Sequence, residues 1–171
     1  MLTLSNGMRV VFKHADTKDV IHWSLALNGG FGNISDLKEG EAGYVSEFLD
    51  MCRIAGMDAA SFKESIRRKG MTMDINVEHA TTSLRGRIPD DGLEDLLGYL
   101  LIMMDTFVPD QEAIEYRLKC EPLMLKHRTG GLKERIAVVD SVMCPGYRYT
   151  TRKGGFDMDF IRKAEAFFKD L

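Results

Sequence analysis

Glu47 is the residue whose setting most invites a chemical reading. It lies in Gly43-Tyr-Val-Ser-Glu-Phe-Leu-Asp-Met51, between the rings of Tyr44 and Phe48, and further carboxylates, Glu115 and Glu121, follow on a later segment beside Pro122. A carboxylate can act as a general base on water, but such chemistry at neutral pH calls for a Lewis acid. A catalytic zinc, for example, needs three protein ligands around an open position. Phe48 has no lone pair, and the Tyr44 hydroxyl would have to ionise against an unperturbed pKa near ~10 to bind metal well. The plainer reading of the same spacing is packing, with Tyr44 and Phe48 on one face of an amphipathic helix.

Other reactive residue types do not assemble into a site. His14, His22, His79 and His127 are scattered, and Glu78-His79 sits at a strand end where neighbouring side chains point to opposite faces. Cys52, Cys120 and Cys144 are odd in number and lack C-x-x-C spacing, which excludes a disulfide framework and a thiolate zinc site and leaves small buried apolar roles. Ser46 and Ser141 have no nucleophile-elbow context. Gly29-Gly30 and Gly154-Gly155 lack the lysine and helix of a phosphate loop. The stretch Arg148 to Lys153, with Tyr147 and Tyr149, reads as a solvated loop in a chain of net charge −3.

The elements that must position Glu47 follow from periodicity. The opening reads as two short strand pieces around Ser5-Asn6-Gly7, with Arg9 to Lys13 rich in β-formers. Residues 20–28 alternate apolar and polar positions around Ile21, Trp23, Leu25 and Leu27, and Gly29-Gly30 ends that strand before a loop over 31–40 that has the look of a mobile rim. Helical spacing runs from Glu41 to Ala55, closed by Gly56, and a second helix is predicted with Ser61 as N-cap, Glu64 three residues on, and Gly70 as its stop. Strands over 71–79 and 81–88 and a turn at Pro89-Asp90-Asp91-Gly92 come next. Residues 93–107 are apolar almost all the way round, which predicts a central buried helix. Helices over Gln111 to Lys126, with Pro122 inside, then 132–143 and 157–171 complete the order. Strands and helices come in blocks, so the fold class is α+β, an antiparallel sheet packed with helices.

Length and composition agree with one globular domain over residues 1–171: 44% of residues are apolar and 29% charged. The acidic balance gives no electrostatic case for a nucleic-acid partner. The longest uncharged apolar run, Leu96 to Met104, is too short to insert across a membrane, and Met1 leads straight into a strand-like segment with no leader-like stretch before it.

Several stretches resemble the insulinase-like M16 metallopeptidase family, which includes mitochondrial processing peptidase and pitrilysin-type proteases. "LSNGMRVVFK" is similar to the family's opening, "HWSLALNGGFGN" to its second strand and following glycine, and "EAGYVSEFLDM" to the segment that carries H-x-x-E-H. "FKESIRRKGMTMDINVEHATTSLRGRIPDDGLEDLLGYLLIMMDTFVPDQEAIEYRLKCEPLM" then resembles the family pattern element by element. The resemblance implies the LuxS/mitochondrial-processing-peptidase-like metallohydrolase fold.

In that family two histidines four apart bind zinc, the glutamate before the second is the general base, and a later helix supplies a glutamate ligand. Carried over by position, the first histidine falls on Tyr44, the base on Glu47 and the second histidine on Phe48. The later glutamate falls at or beside Pro122, with Glu121 one register step away and Glu115 matching an upstream glutamate. The resemblance therefore implies a domain with no catalytic residues and no metal of its own, the first domain of an inactive half. Zinc is then expected in the active half of the parent protein. Implied partners are other M16 domains of the same protein or of a paired subunit, and an extended peptide along the strand edge at Met73, Asp74, Ile75, Asn76 and Val77. The implied setting is the bacterial periplasm or cell envelope. The chain is expected to be a fragment of a longer multidomain protein, truncated at its C-terminus, with an incomplete sheet or an exposed edge. Two other readings stay open: an active zinc metallopeptidase with divergent ligands, and a structural module like the core subunits this family lends to respiratory complexes.

Overall fold

A three-stranded antiparallel sheet in the order β3-β7-β6 forms the frame of the molecule, built from Val20–Asn28 (β3), Thr72–Val77 (β6) and Thr81–Pro89 (β7). The computed structural model describes residues 1–14, 16–126, 131–143 and 154–171. His127, Cys144 and the Arg148 to Lys153 stretch lie outside them. Alternation fixes the register, because a one-residue slip would turn the apolar set to water. Leu25 stands opposite Leu84 and that residue opposite Ile75; Leu27, Thr82 and Val77 form the next row. Trp23 and Met73 flank Gly86, where a Cβ would lie 1.8 Å from the Thr72 carbonyl oxygen, so only glycine fits between them. Among the described residues no further strand joins the sheet, leaving β3 and β6 as its two edges.

Five α-helices lie among the described residues, and the first two pack against β6 and β7. They are α1 (Ala59–Arg68), α2 (Leu93–Thr106), α3 (Gln111–Lys126), α4 (Leu132–Met143) and α5 (Met158–Lys169). None is long and apolar enough to cross a membrane. Buried residues of α5, Phe160, Ile161, Ala164, Phe167 and Phe168, join Tyr44, Val45, Phe48 and Leu49 in the core. The chain opens with two short exposed strands, β1 (Leu2–Thr3) and β2 (Arg9–Val10), that among the described residues pair only with each other. A third small sheet, β5-β4-β8, joins Cys52–Ile54 (β4), Met57–Asp58 (β5) and Val108–Pro109 (β8).

Several sequence expectations need correction. The helix predicted over 41–55 is a 3-10 helix over Ala42–Met51, and its last residues turn into β4 instead. The cap of α1 is Asp58 rather than Ser61; its carboxylate accepts hydrogen bonds from the Ser61 backbone N–H (2.8 Å) and hydroxyl (2.7 Å). An ionised aspartate satisfies the orphan N–H groups of a first turn, so the helix begins earlier than a serine cap would set it. The loop at 31–40 is anchored rather than a loose rim, since Phe31, Ile34 and Leu37 are buried. Residues 93–106 do not form a central helix: Leu96 and Met103 are buried, but Leu93, Leu97 and Leu101 face solvent. An all-round apolar pattern fixes how much of a helix can be buried, not how much finds a partner.

Candidate functional site

The 3-10 winding of Ala42–Met51 decides which residues meet. With three residues per turn, positions three apart eclipse, whereas positions four apart diverge by about 120°. Tyr44 and Glu47 are three apart and both reach α3. Phe48, four from Tyr44, swings into the core instead. Its ring stacks on Phe168 (centroids 5.4 Å apart, planes at 19°) and meets Phe107 edge-on at 6.1 Å. Tyr44 packs beside Phe156 at 4.9 Å and Phe160 at 6.3 Å. Both rings are fully buried.

Opposite them, α3 presents Arg117 and Glu121, one turn apart. The Tyr44 hydroxyl donates to Glu121 Oε1 at 2.6 Å. Arg117 Nη2 donates to Glu47 Oε2 at 2.7 Å, and its Nε lies 3.0 Å from Glu121 Oε2. That last contact is near enough for an ion pair but makes no aligned hydrogen bond, so Oε2 is held by charge alone. The Glu121 side chain is 6% exposed and that of Glu47 37%. A carboxylate as enclosed as Glu121 requires a counter-charge and donors, and Arg117 and Tyr44 supply them.

The structure thus brings together Tyr44, Glu47 and Glu121 and leaves out Glu115, Pro122 and Phe48. Glu115 points away and accepts from the Gln111 side chain at 2.8 Å. Pro122 lies inside α3 on its exposed side. Of the two register choices, Glu121 is therefore the residue that faces Tyr44. Arg117 is the member that the motif frame does not reveal; its only signal in the sequence is the Arg-to-Glu spacing of four ahead of Glu121.

These residues do not fit zinc. Phe48 offers no donor atom, the Tyr44 hydroxyl is committed to Glu121, and the winding separates the two positions that would have to share a face. Among the described residues, no group of three His, Cys, Asp or Glu side chains is placed to hold a metal ion. The His79 ring packs edge-on against Phe31 at 5.6 Å, and His14 and His22 are exposed.

A groove of 240 Å³ runs between the motif helix and the β6 edge, lined by Ser46, Glu47, Asp50, Lys63, Met73 and Ile75 among others. The Glu78 N–H donates to the Thr81 carbonyl at 2.8 Å, so alternate residues of β6 face β7, and the backbone groups of Met73, Ile75 and Val77 face the groove. The Val77 N–H is taken by the Ser46 hydroxyl at 2.8 Å. The open edge is accordingly shorter than the Met73–Val77 span of the sequence reading, and its free groups are centred on Met73 and Ile75. Elsewhere, burial, reinforced by Glu165, Asp50 and Asp110, pushes the Cys52 thiol up to about 12, so it stays protonated and unreactive at neutral pH.

No protein-family model matches the chain, and no curated protein sequence is significantly similar to it. Solved structures are similar in fold. A peptidase M16 inactive domain from Pseudomonas fluorescens matches with a TM-score of 0.71 and 13% identity over 98% of this chain. The ferredoxin protease FusC, solved as a mutant in complex with Arabidopsis ferredoxin, gives 0.67 and 16% over 98%, and pitrilysin 0.62 and 15% over 90%. This chain spans 42%, 19% and 17% of those three chains respectively, less than half of each. The agreement extends along nearly the whole chain, strands and helices alike: the chain has the α+β fold of M16 peptidase domains.

Proposed function

We propose that the chain is a non-catalytic M16-like domain that helps enclose a peptide and packs against other domains of the same fold, with zinc chemistry residing in a partner half. One observation carries the reading: at the positions that the sequence resemblance aligns with metal ligands, Phe48 is packed in the core and Tyr44 and Glu121 are tied into a network with Arg117 and Glu47. A lone Glu47, tied to a guanidinium, has no Lewis acid to work with.

Two further features support the finer parts. The β6 edge keeps Met73 and Ile75 backbone groups beside an accessible groove, which suits an extended peptide segment of two or three residues. The α2 face of Leu93, Leu97 and Leu101 is apolar and exposed, which suits a domain–domain contact. The same face would serve a purely structural module, and peptide binding separates the two.

The test is metal analysis of the chain after equilibration with zinc chloride and dialysis, together with cleavage and binding assays on a fluorescent unstructured peptide. The expected result is no retained zinc and no cleavage, with weak peptide binding weakened further by Ile75→Pro. Stoichiometric zinc and cleavage, both lost in Glu47→Gln, would overturn the reading. Peptide indifference with no zinc would favour the structural module.

A further inference from the structure

The disagreement between this site and a zinc site has a more specific content than missing ligands. We infer that the Arg117 guanidinium is the cation of the site, occupying the space between Glu47 and Glu121 where a metal's charge would otherwise be needed. This rests on the non-catalytic reading above and goes beyond it, because ligand loss alone does not require any replacement of charge.

Three observations point to this. Arg117 touches a carboxylate on each of two elements: Glu47 Oε2 on the motif helix at 2.7 Å and Glu121 Oε2 on its own helix at 3.0 Å. Glu121 is almost fully enclosed and among the described residues keeps one aligned donor, the Tyr44 hydroxyl, so its second oxygen depends on the arginine's charge. The Arg117–Glu121 pair is an i,i+4 pair within α3, but Glu121 is enclosed, and the same guanidinium also reaches Glu47 on an element far away in sequence, which an ordinary surface i,i+4 pair does not do. Such surface pairs contribute little, whereas an enclosed carboxylate stripped of its counter-ion is strongly destabilised. Arginine suits the task better than lysine: its planar fork reaches two acceptors at once and stays charged at every working pH.

The consequence is that two carboxylates converge on the guanidinium, with the Tyr44 hydroxyl on the other oxygen of Glu121, and the arginine excludes a metal ion from between them by occupation. Removing the guanidinium should open that space. Oxygen donors of this kind suit a hard or intermediate cation such as manganese(II) better than zinc.

The test compares the full chain with Arg117→Ala and Arg117→Lys by thermal melting, with and without manganese(II) chloride at about 1 mM, a concentration matched to weak oxygen-ligand sites. Arg117→Ala is expected to melt below the wild type without metal and to gain about 3 °C or more with it, following ligand linkage. The wild type and Arg117→Lys, which keep a cation in place, should not respond. A second variant, Arg117→Ala with Glu121→Gln, should lose the response. If Arg117→Ala does not fold in buffer, recovery of its near-ultraviolet circular dichroism on refolding with manganese(II) supports the inference, and failure to recover overturns it. A folded Arg117→Ala that melts like the wild type, or ignores the metal, also overturns it and leaves the non-catalytic reading standing. Tight zinc binding by the wild type, lost in Glu47→Gln, would instead sink the non-catalytic reading itself.

Discussion

At the level of single residues, the candidate site turns on Tyr44, Phe48 and Glu121, which the structure commits to ring packing and to a buried hydrogen bond. Removing the Tyr44 hydroxyl leaves the enclosed Glu121 carboxylate short of its one aligned donor, so Tyr44→Phe should cost about 1–3 kcal/mol in denaturant melts although it deletes only an oxygen. Phe48→Ala should cost about 3–5 kcal/mol, the usual effect of emptying a buried aromatic position between two other rings. Equal stability of Tyr44→Phe and the wild type would show that Glu121 is satisfied elsewhere. Cys52 gives an independent check. Because burial keeps its thiol protonated, iodoacetamide at neutral pH should spare Cys52 and modify the half-buried Cys120 before it, as peptide mapping would reveal. That Phe48 offers no metal donor and Tyr44 only a phenol oxygen is legible in the sequence, since donor chemistry belongs to residue type. Arg117 is not, because its meaning depends on which face of α3 meets the motif helix, and that is a tertiary fact.

Between the residue and the molecule, the strands were easier to read than the helix ends. Two-residue alternation in β3 and β7 survives into the observed register because it is enforced by burial on one face. The winding of Ala42–Met51 could not be read in the same way: apolar residues at three- and four-residue spacing satisfy an α-helix and a 3-10 helix about equally. The helix caps respond to acid in a way that can be measured. Hydrogen bonds from the Ser61 backbone and hydroxyl hold the Asp58 carboxyl below the usual range. The Lys38 ammonium, followed by the Phe160 N–H, does the same for Asp157 at the start of α5. A carboxyl depressed on folding stabilises the fold above its unfolded pKa, near ~4, and that contribution disappears as the pH falls through the lower folded value. The melting midpoint should therefore decline below about pH 4, and Asp157→Asn, which keeps a capping oxygen but cannot titrate, should flatten part of that decline. An unchanged acid limb in Asp157→Asn would remove α5 capping from the account.

For the molecule as a whole, the block order of strands and helices was enough to give an α+β layer, while the small sheet of β4, β5 and β8 escaped notice. Its strands are two or three residues long, too short to show any periodicity. The outward stripe of α2 was missed for a different reason: the pattern shows that Leu93, Leu97 and Leu101 are apolar but not that no other part of the described fold covers them. Leu97→Glu with Leu101→Glu should leave the melting midpoint nearly unchanged and reduce self-association or dye binding of the isolated chain, read by light scattering and by fluorescence of a hydrophobic probe. A large drop in the midpoint would mean the stripe is internal to the fold. The sheet register also governs how the chain reaches this state. β7, the middle strand, takes β6 across a tight turn, from Glu78 to Thr81, but takes β3 from the far end of the sequence, Val20 against Pro89. The hairpin can close early at small entropic cost, whereas β3 must close a loop that encompasses the motif helix, α1 and β6. Docking of β3 is thus the natural slow step of folding. Amide protons of the β6–β7 hairpin should gain protection before those of Ile21 to Leu27 in pulse-labelled refolding, and the motif helix, enclosed in that loop, should become rigid only when the last strand arrives.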